Sequence, residues 1–222
     1  LSIYSLISLN SLIFLKKEKM KKVLSILLLL LLGTSPNTKA QSADKAAEQV
    51  TALSQAVKAL GSYAVRFTVS VGEHKVSGNY SVGSDRYHLT LGNIEVYGDK
   101  ECRHEVDTSR KEVAVDRVDN TSHNLLNNPL SAFDFIDDEY LAEILSEQTD
   151  RVDVRLTPRQ KSEQSGVVEI AIDRRTNLPK SIIYRPSGEC IKIDIDHIGA
   201  TAAVPAKFDP IKFRDFEIID FR

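Results

Sequence analysis

Tyr63-Ala64-Val65-Arg66-Phe67-Thr68-Val69-Ser70-Val71, Gly72-Glu73, His74-Lys75-Val76-Ser77-Gly78-Asn79-Tyr80-Ser81-Val82: this run decides the fold class. Tyr63, Val65, Phe67, Val69 and Val71 alternate with smaller or polar residues, and Val76, Gly78, Tyr80 and Val82 repeat the alternation after a two-residue turn. A period of two puts one apolar and one polar face on each strand. Gly83-Ser84-Asp85 turns the chain again into Tyr87, Leu89 and Leu91, and Ile94 with Val96 makes a short fourth strand.

Downstream the pattern continues. His104-Glu105-Val106 and Glu112-Val113-Ala114-Val115 flank an Asp107-Thr108-Ser109-Arg110 turn. Val152, Val154 and Leu156, then Val168, Ile170 and Ile172, then Ile182 to Tyr184, then Ile191, Ile193 and Ile195 follow. Strands at this spacing with short turns between them predict an antiparallel meander with one greasy side.

Upstream, Val50, Leu53, Val57 and Leu60 recur every three or four residues, with Ser42 placed as a cap and Gly61 as the left-handed residue beyond the end. An N-terminal helix is expected there. Between the two groups of strands, Leu125, Leu126, Leu130, Phe133, Phe135, Ile136, Tyr140, Leu141, Ile144 and Leu145 surround the acids Asp137, Asp138 and Glu139. Asn128-Pro129 is a good helix start. Two short helices lying across the greasy side as a lid are expected. The predicted architecture is mainly β: a strongly curved antiparallel sheet, an open half-barrel, covered by an N-terminal helix and a central helical lid.

Met20-Lys21-Lys22, the aliphatic run Val23 to Leu32 and the small residues up to Ala40 have the order of a secretory signal peptide. Residues 1–19 read as translated upstream sequence, residues 20–40 as the signal peptide, and residues 41–222 as one domain. The whole chain has 29 basic and 31 acidic residues. Setting aside the six basic and one acidic residues before Gln41 leaves 23 and 30, a net charge of −7. That acidity argues against a nucleic-acid partner, whose phosphates need a basic face. Cys102 and Cys190 fall in predicted strands, and in an oxidising compartment they stand either as a disulfide or as two separate thiols.

Chemistry-bearing motifs are sparse. His74, His88, His104, His123 and His197 fall in separate elements. Cys102 and His104 share a strand face, but two ligands are fewer than a zinc site uses. Phosphate-binding loops and nucleophile elbows do not occur. Asp137-Asp138-Glu139 reads as a helix start favoured by the helix dipole, and Asp194 and Asp196 as solvent-facing strand residues. No metal, no cofactor and no catalysis are expected. Surplus apolar surface remains, and a curved sheet under a greasy insertion tends to enclose a ligand cavity.

In the order and spacing of its segments the chain resembles the LolA family of periplasmic outer-membrane lipoprotein carriers, of the Bacteroidetes type. Tyr63-Ala64-Val65-Arg66-Phe67-Thr68 with the helix before it resembles the family's opening. Val76-Ser77-Gly78-Asn79-Tyr80 resembles its second strand, and Ile94 to Lys100 with Lys111-Glu112-Val113 the strands around its Asp-Gly-Lys turn. Leu126-Asn127-Asn128-Pro129, Val154 to Pro158, Ile170 to Asp173, Leu178-Pro179 and Phe216 to Arg222 resemble later parts. The chain departs from the family in having Gly98-Asp99-Lys100 at the turn and Arg103 in place of a tryptophan. The family's basic residue and proline after the second strand are missing, and Arg86 is the one residue able to stand in for lid control.

The resemblance implies a monomeric periplasmic carrier that binds acyl chains of lipoproteins or other lipids, for transfer from an inner-membrane donor to an outer-membrane acceptor. The expected lipid-contacting residues are Val65, Phe67, Val69, Tyr80, Leu89 and Val96 from the sheet, with Phe133, Ile136, Leu141 and Leu145 from the lid. A lipid-sensing or other ligand-binding module of the same fold is the alternative, and an enzyme the weaker one.

Overall fold

The computed structural model describes residues 37–118, 140–160, 166–185 and 189–222. The chain divides into two units, Leu1–Gln41 and Ser42–Arg222, and the second holds the sheet. Helix α1 runs over Asn37–Ala59. It therefore starts before Ser42, the expected cap, because Thr38-Lys39-Ala40-Gln41 contains no helix breaker. It ends as predicted: the amides of Leu60 and Gly61 donate to the carbonyls of Val57 and Lys58, and Gly61 takes φ +64°. None of the described helices is long and apolar enough to cross a membrane.

The strands are β1 Tyr63–Val71, β2 His74–Val82, β3 Arg86–Leu91, β4 Ile94–Asp99, β5 Cys102–Asp107 and β6 Glu112–Arg117, followed by β7 Tyr140–Glu147, β8 Arg151–Pro158, β9 Val167–Asp173, β10 Pro179–Arg185, β11 Ile191–Ala200 and β12 Glu217–Asp220. They form one open sheet in the order β12-β6-β5-β4-β3-β2-β1-β11-β10-β9-β8-β7. All neighbours are antiparallel except β12, which lies parallel to β6. Two meanders, β1 to β6 and β7 to β11, are thus joined through the β1–β11 pair, so the sheet is not one continuous meander.

Alternation decides what each face buries. Ala46, Val50, Leu53 and Val57, the stripe of α1, share one core with Tyr63, Val65, Phe67, Val82, Tyr87 and Val96 from β1 to β4, and with Val152, Val154, Leu156, Ile170 and Ile172 from β8 and β9. Seven strand spacings separate β4 from β8, roughly 34 Å if the sheet were flat, whereas a helix is only about 10 Å across. The sheet must curl around α1 for both ends to touch one core. This is the geometry of an open half-barrel.

The expected lid needs correction where it can be seen. Tyr140–Glu147 is not helical but the edge strand β7, with Tyr140, Ala142 and Ile144 packed on the core and Leu141, Glu143, Leu145 and Glu147 exposed. The eight residues fit both periods, since Leu141, Ile144 and Leu145 also lie at helical spacing. Pairing wins because the backbone of β8, and its buried Val152, Val154 and Leu156, would otherwise form an open edge. Phe133 and Ile136, with the rest of the expected lid from Asn128 to Glu139, lie outside the described residues.

Candidate functional site

The inner face is built in rows that the pairing register lines up. Val65 faces Tyr80 on β2, Tyr80 faces Leu89 on β3, and Leu89 faces Val96 on β4, while Ile198 flanks Val65 on β11. Four of the expected lipid-contacting residues therefore form one continuous row. Phe67 lies in the next row with Ile195, Gly78, Leu91 and Ile94. A row further on, Val76, Val69, Ile193, Ile182, Ile170, Val154 and Ile144 run side by side from β2 to β7. A bulge between Arg66 and Phe67 against β11 keeps both Ile195 and Ile198 on this face; it leaves Asp196 outside, within 3.4 Å of the Thr68 hydroxyl.

Burial grades along these rows. Val65, Phe67 and Val96 are buried beside α1. Val69, Leu89, Leu91, Ile94, Ile182, Ile193 and Ile195 are only half-buried, and Val71 and Val76 at the hairpin end are 42% and 41% exposed. Gly78 sits beneath Phe67, whose ring atoms would lie 2.5 Å from any Cβ added there. The missing side chain is what lets the ring lie flat on the sheet.

Polarity changes at the far end of the face. In the row Tyr63, Val82, Tyr87, Gly98, Arg103 and Asp116, the last two are charged. Tyr63, Tyr80 and Tyr87 meet edge to face at centroid distances of 6.5 and 6.0 Å. Burial pushes the Tyr63 phenol up to about 12 and that of Tyr80 well above its ordinary value, so both hydroxyls stay protonated. Arg103 forms an ion pair with Glu105. The hydroxyls of Tyr80 and Tyr87 and the Nε of Arg103 are buried without a hydrogen-bond partner among the described residues.

The outer face is different. On β4 to β6 its apolar residues, Tyr97, Val106, Val113 and Val115, pack against Phe213, with Phe208 and Phe216 at the margin. Beside this cluster a cavity of about 200 Å³ is lined by Arg86, Asp99, Cys102, His104 and Phe208 among others. Arg86 alternates with inward Tyr87 and so faces away from the apolar rows; its Nη2 lies 2.7 Å from Asp85. Cys102 and His104 do share a face here, as their spacing predicted.

Cys102 and Cys190 are both free thiols. Cys102 opens β5, and Cys190 directly precedes β11, five strand spacings away along the sheet, roughly 24 Å at ordinary strand spacing, so the disulfide alternative is not realised. Leu141 and Leu145 are 52% and 39% exposed; Leu141 alternates with the inward Tyr140 and Ala142, which turns it from the inner face of the sheet.

What sequence reasoning missed is that Tyr63, Tyr87 and Arg103 join the expected Tyr80 at one end of the site. The signal was present: all four hold inward-parity positions, but only the register shows them to be neighbours.

An open sheet wrapped on one helix, with aliphatic rows on its inner face, defines a half-barrel fold class, and several solved structures are similar to this chain in fold. An uncharacterized conserved protein from Thermus thermophilus has a TM-score of 0.51 at 6% identity, over 79% of this chain and 99% of that one. MucB in complex with MucA(peri) gives 0.43 at 17% identity over 72% of this chain, which spans 57% of MucB's length. The LolA superfamily protein NE2245 from Nitrosomonas europaea gives 0.38 at 10% identity, over 72% and 94% of the two chains. No family model matches the sequence, and no curated protein matches it.

Proposed function

We propose that this protein is a non-catalytic carrier that holds lipid acyl chains, those of lipoproteins included, against the inner face of the half-barrel. One observation carries the reading: overlapping apolar rows cross the inner face, two running from β4 to β11 and a third from β2 to β7, and many of their residues are only half-buried. A folded core has no use for Val69, Leu91, Ile182 and Ile193 at that depth, whereas a hydrocarbon chain laid along them gains about 0.8 kcal/mol per methylene removed from water. Release then needs only a shift in population at an acceptor, not a covalent step. The leader-like residues 20–40 support export, and the resemblance to LolA supports a periplasmic monomer passing cargo outward.

Native mass spectrometry of protein purified from its host tests the reading. Adducts of acyl-chain-bearing lipid are expected, and they should be lost in a folded Phe67→Glu variant, whose carboxylate would be desolvated beside the chain. Lipid-free protein that also fails to bind a fluorescent acyl probe would overturn the carrier.

A further inference from the structure

Three polar atoms at the charged end of the apolar face are buried and unpartnered among the described residues: the hydroxyls of Tyr80 and Tyr87, and Nε of Arg103. All three belong to inward positions on β2, β3 and β5. Gly98 joins them. A Cβ built on it would lie 2.2 Å from Cζ and 2.5 Å from the hydroxyl of Tyr87, so the Tyr87 phenol lies directly over this residue. The neighbour of Gly98 on β5 is Arg103. The Tyr80 ring touches Tyr87 edge to face at 6.0 Å, and Tyr80 itself stands in the aliphatic row between Val65 and Leu89. Donors are thus gathered where a chain lying in the rows would end.

A buried hydroxyl without an acceptor destabilises the empty protein, since it has left water and gained no partner. Such a group is retained when a ligand supplies the acceptor. Which acceptor follows from charge. Arg103 is paired with Glu105 and faces Asp116 across β6, so two carboxylates accompany one cation. A further carboxylate would be repelled there, whereas a neutral carbonyl oxygen accepts from phenol and guanidinium N–H without that penalty.

We propose that Tyr80, Tyr87 and Arg103 form a donor set for the carbonyl of an ester- or amide-linked acyl chain, so that the protein selects esterified lipid over free fatty acid and over bare hydrocarbon. This deepens the carrier reading and rests on it.

Displacement of a bound polarity-sensitive fluorescent dye by methyl palmitate, palmitate and hexadecane tests it. The wild-type protein should prefer methyl palmitate over both others. Tyr80→Phe and Tyr87→Phe keep each ring in place and remove only the hydroxyl. Each should weaken methyl palmitate by roughly three- to tenfold, the worth of one hydrogen bond, and leave hexadecane unchanged. The lipid-free variants should melt no lower than wild type, the reverse of what loss of a structural hydroxyl would cause. Equal affinity for ester and hydrocarbon in the wild type, or an undiminished preference in the double variant, would overturn the donor set while the carrier stands. Failure of all three ligands to displace the dye would overturn both.

Discussion

The two apolar clusters of this sheet differ in almost every respect. On the inner face, aliphatic residues from nine strands, β4 across to β7, share α1 as a cover, and much of the surface stays half-buried. On the outer face, a small aromatic core lies on β4 to β6, with His88 of β3 at its margin. There Phe208 stacks on Phe213 at 5.5 Å and on His104 at 4.1 Å, while Tyr97 meets Phe213 at 6.0 Å and stacks with His88 at 4.5 Å. Its polar groups are mostly partnered: Tyr97 donates to Glu95, and Lys212 reaches Glu95 at 3.1 Å and sits 4.7 Å from the centre of the Phe213 ring, while the buried Nε2 of His88 stands 3.8 Å from Glu95, too far for a hydrogen bond. The apolar side of the sheet changes hands between β4 and β5, and the C-terminal segment staples the second core before β12 pairs with β6. A small, closed cluster holds the edge of the sheet. A long, graded cluster ending in unpartnered donors is suited to a guest.

That contrast can be broken by mutation. Phe213 is 3% exposed at the centre of the outer core. Phe213→Ala should destabilise the protein by about 3–5 kcal/mol, read as a lower denaturant midpoint, while acyl-probe affinity under folding conditions stays within about twofold on the premise that this core takes no part in binding. A parallel loss of affinity would show the two clusters to be one unit. Gly98→Ala forces the Tyr87 ring off the sheet, and overpacking of this kind costs about 1–3 kcal/mol. It should lower both melting temperature and ester affinity, because the displaced ring carries the donor with it. Ile193→Asn, in a half-buried row, has the opposite balance: a stability loss of about 1 kcal/mol and at least a tenfold weaker acyl probe.

The smallest effect concerns pH and belongs to the outer core. Burial lowers the imidazole pKa of both His88, near Glu95 and Lys212, and His104, near Arg222, Asp99 and Asp220. The unfolded chain, with histidines near 6.5, therefore binds more protons than the folded one below neutrality, and stability falls as pH drops through that value. Asp107, held down to about 2 by Ser109 and Arg110, does not titrate in this range. A modest fall in melting temperature from pH 7.5 to 5.5 is expected, and it should shrink in a His88→Gln, His104→Gln double variant. An unchanged slope would place the titrating groups elsewhere.

Most strands, the turn at Gly72-Glu73 and the stripe of α1 were legible in the sequence, because alternation and helical spacing are local and each turn carries its own signal. Tyr140–Glu147 was misread because its leucines satisfy both periods, and only the unpaired edge of β8 chose between them. The parallel pairing of β12 left no local trace. Of the candidate site, Val65, Phe67, Val69, Tyr80, Leu89 and Val96 were placed on one face by parity alone, as the structure has them. Arg86 has the wrong parity for that face, being next to the inward Tyr87.

By itself, then, the sequence determined the element types, the inward and outward parity of each strand residue and the acidic character of residues 41–222, since these depend on neighbours within a few positions. Tertiary structure alone decided which strands stand side by side. That choice joined Val65 to Tyr80, Leu89 and Val96 in one row, brought Tyr87 over Gly98 beside Arg103, and kept Cys102 far from Cys190. The physical reason is that pairing order and register are set by burying apolar rows from distant segments around one helix, a condition that no short window of the chain contains.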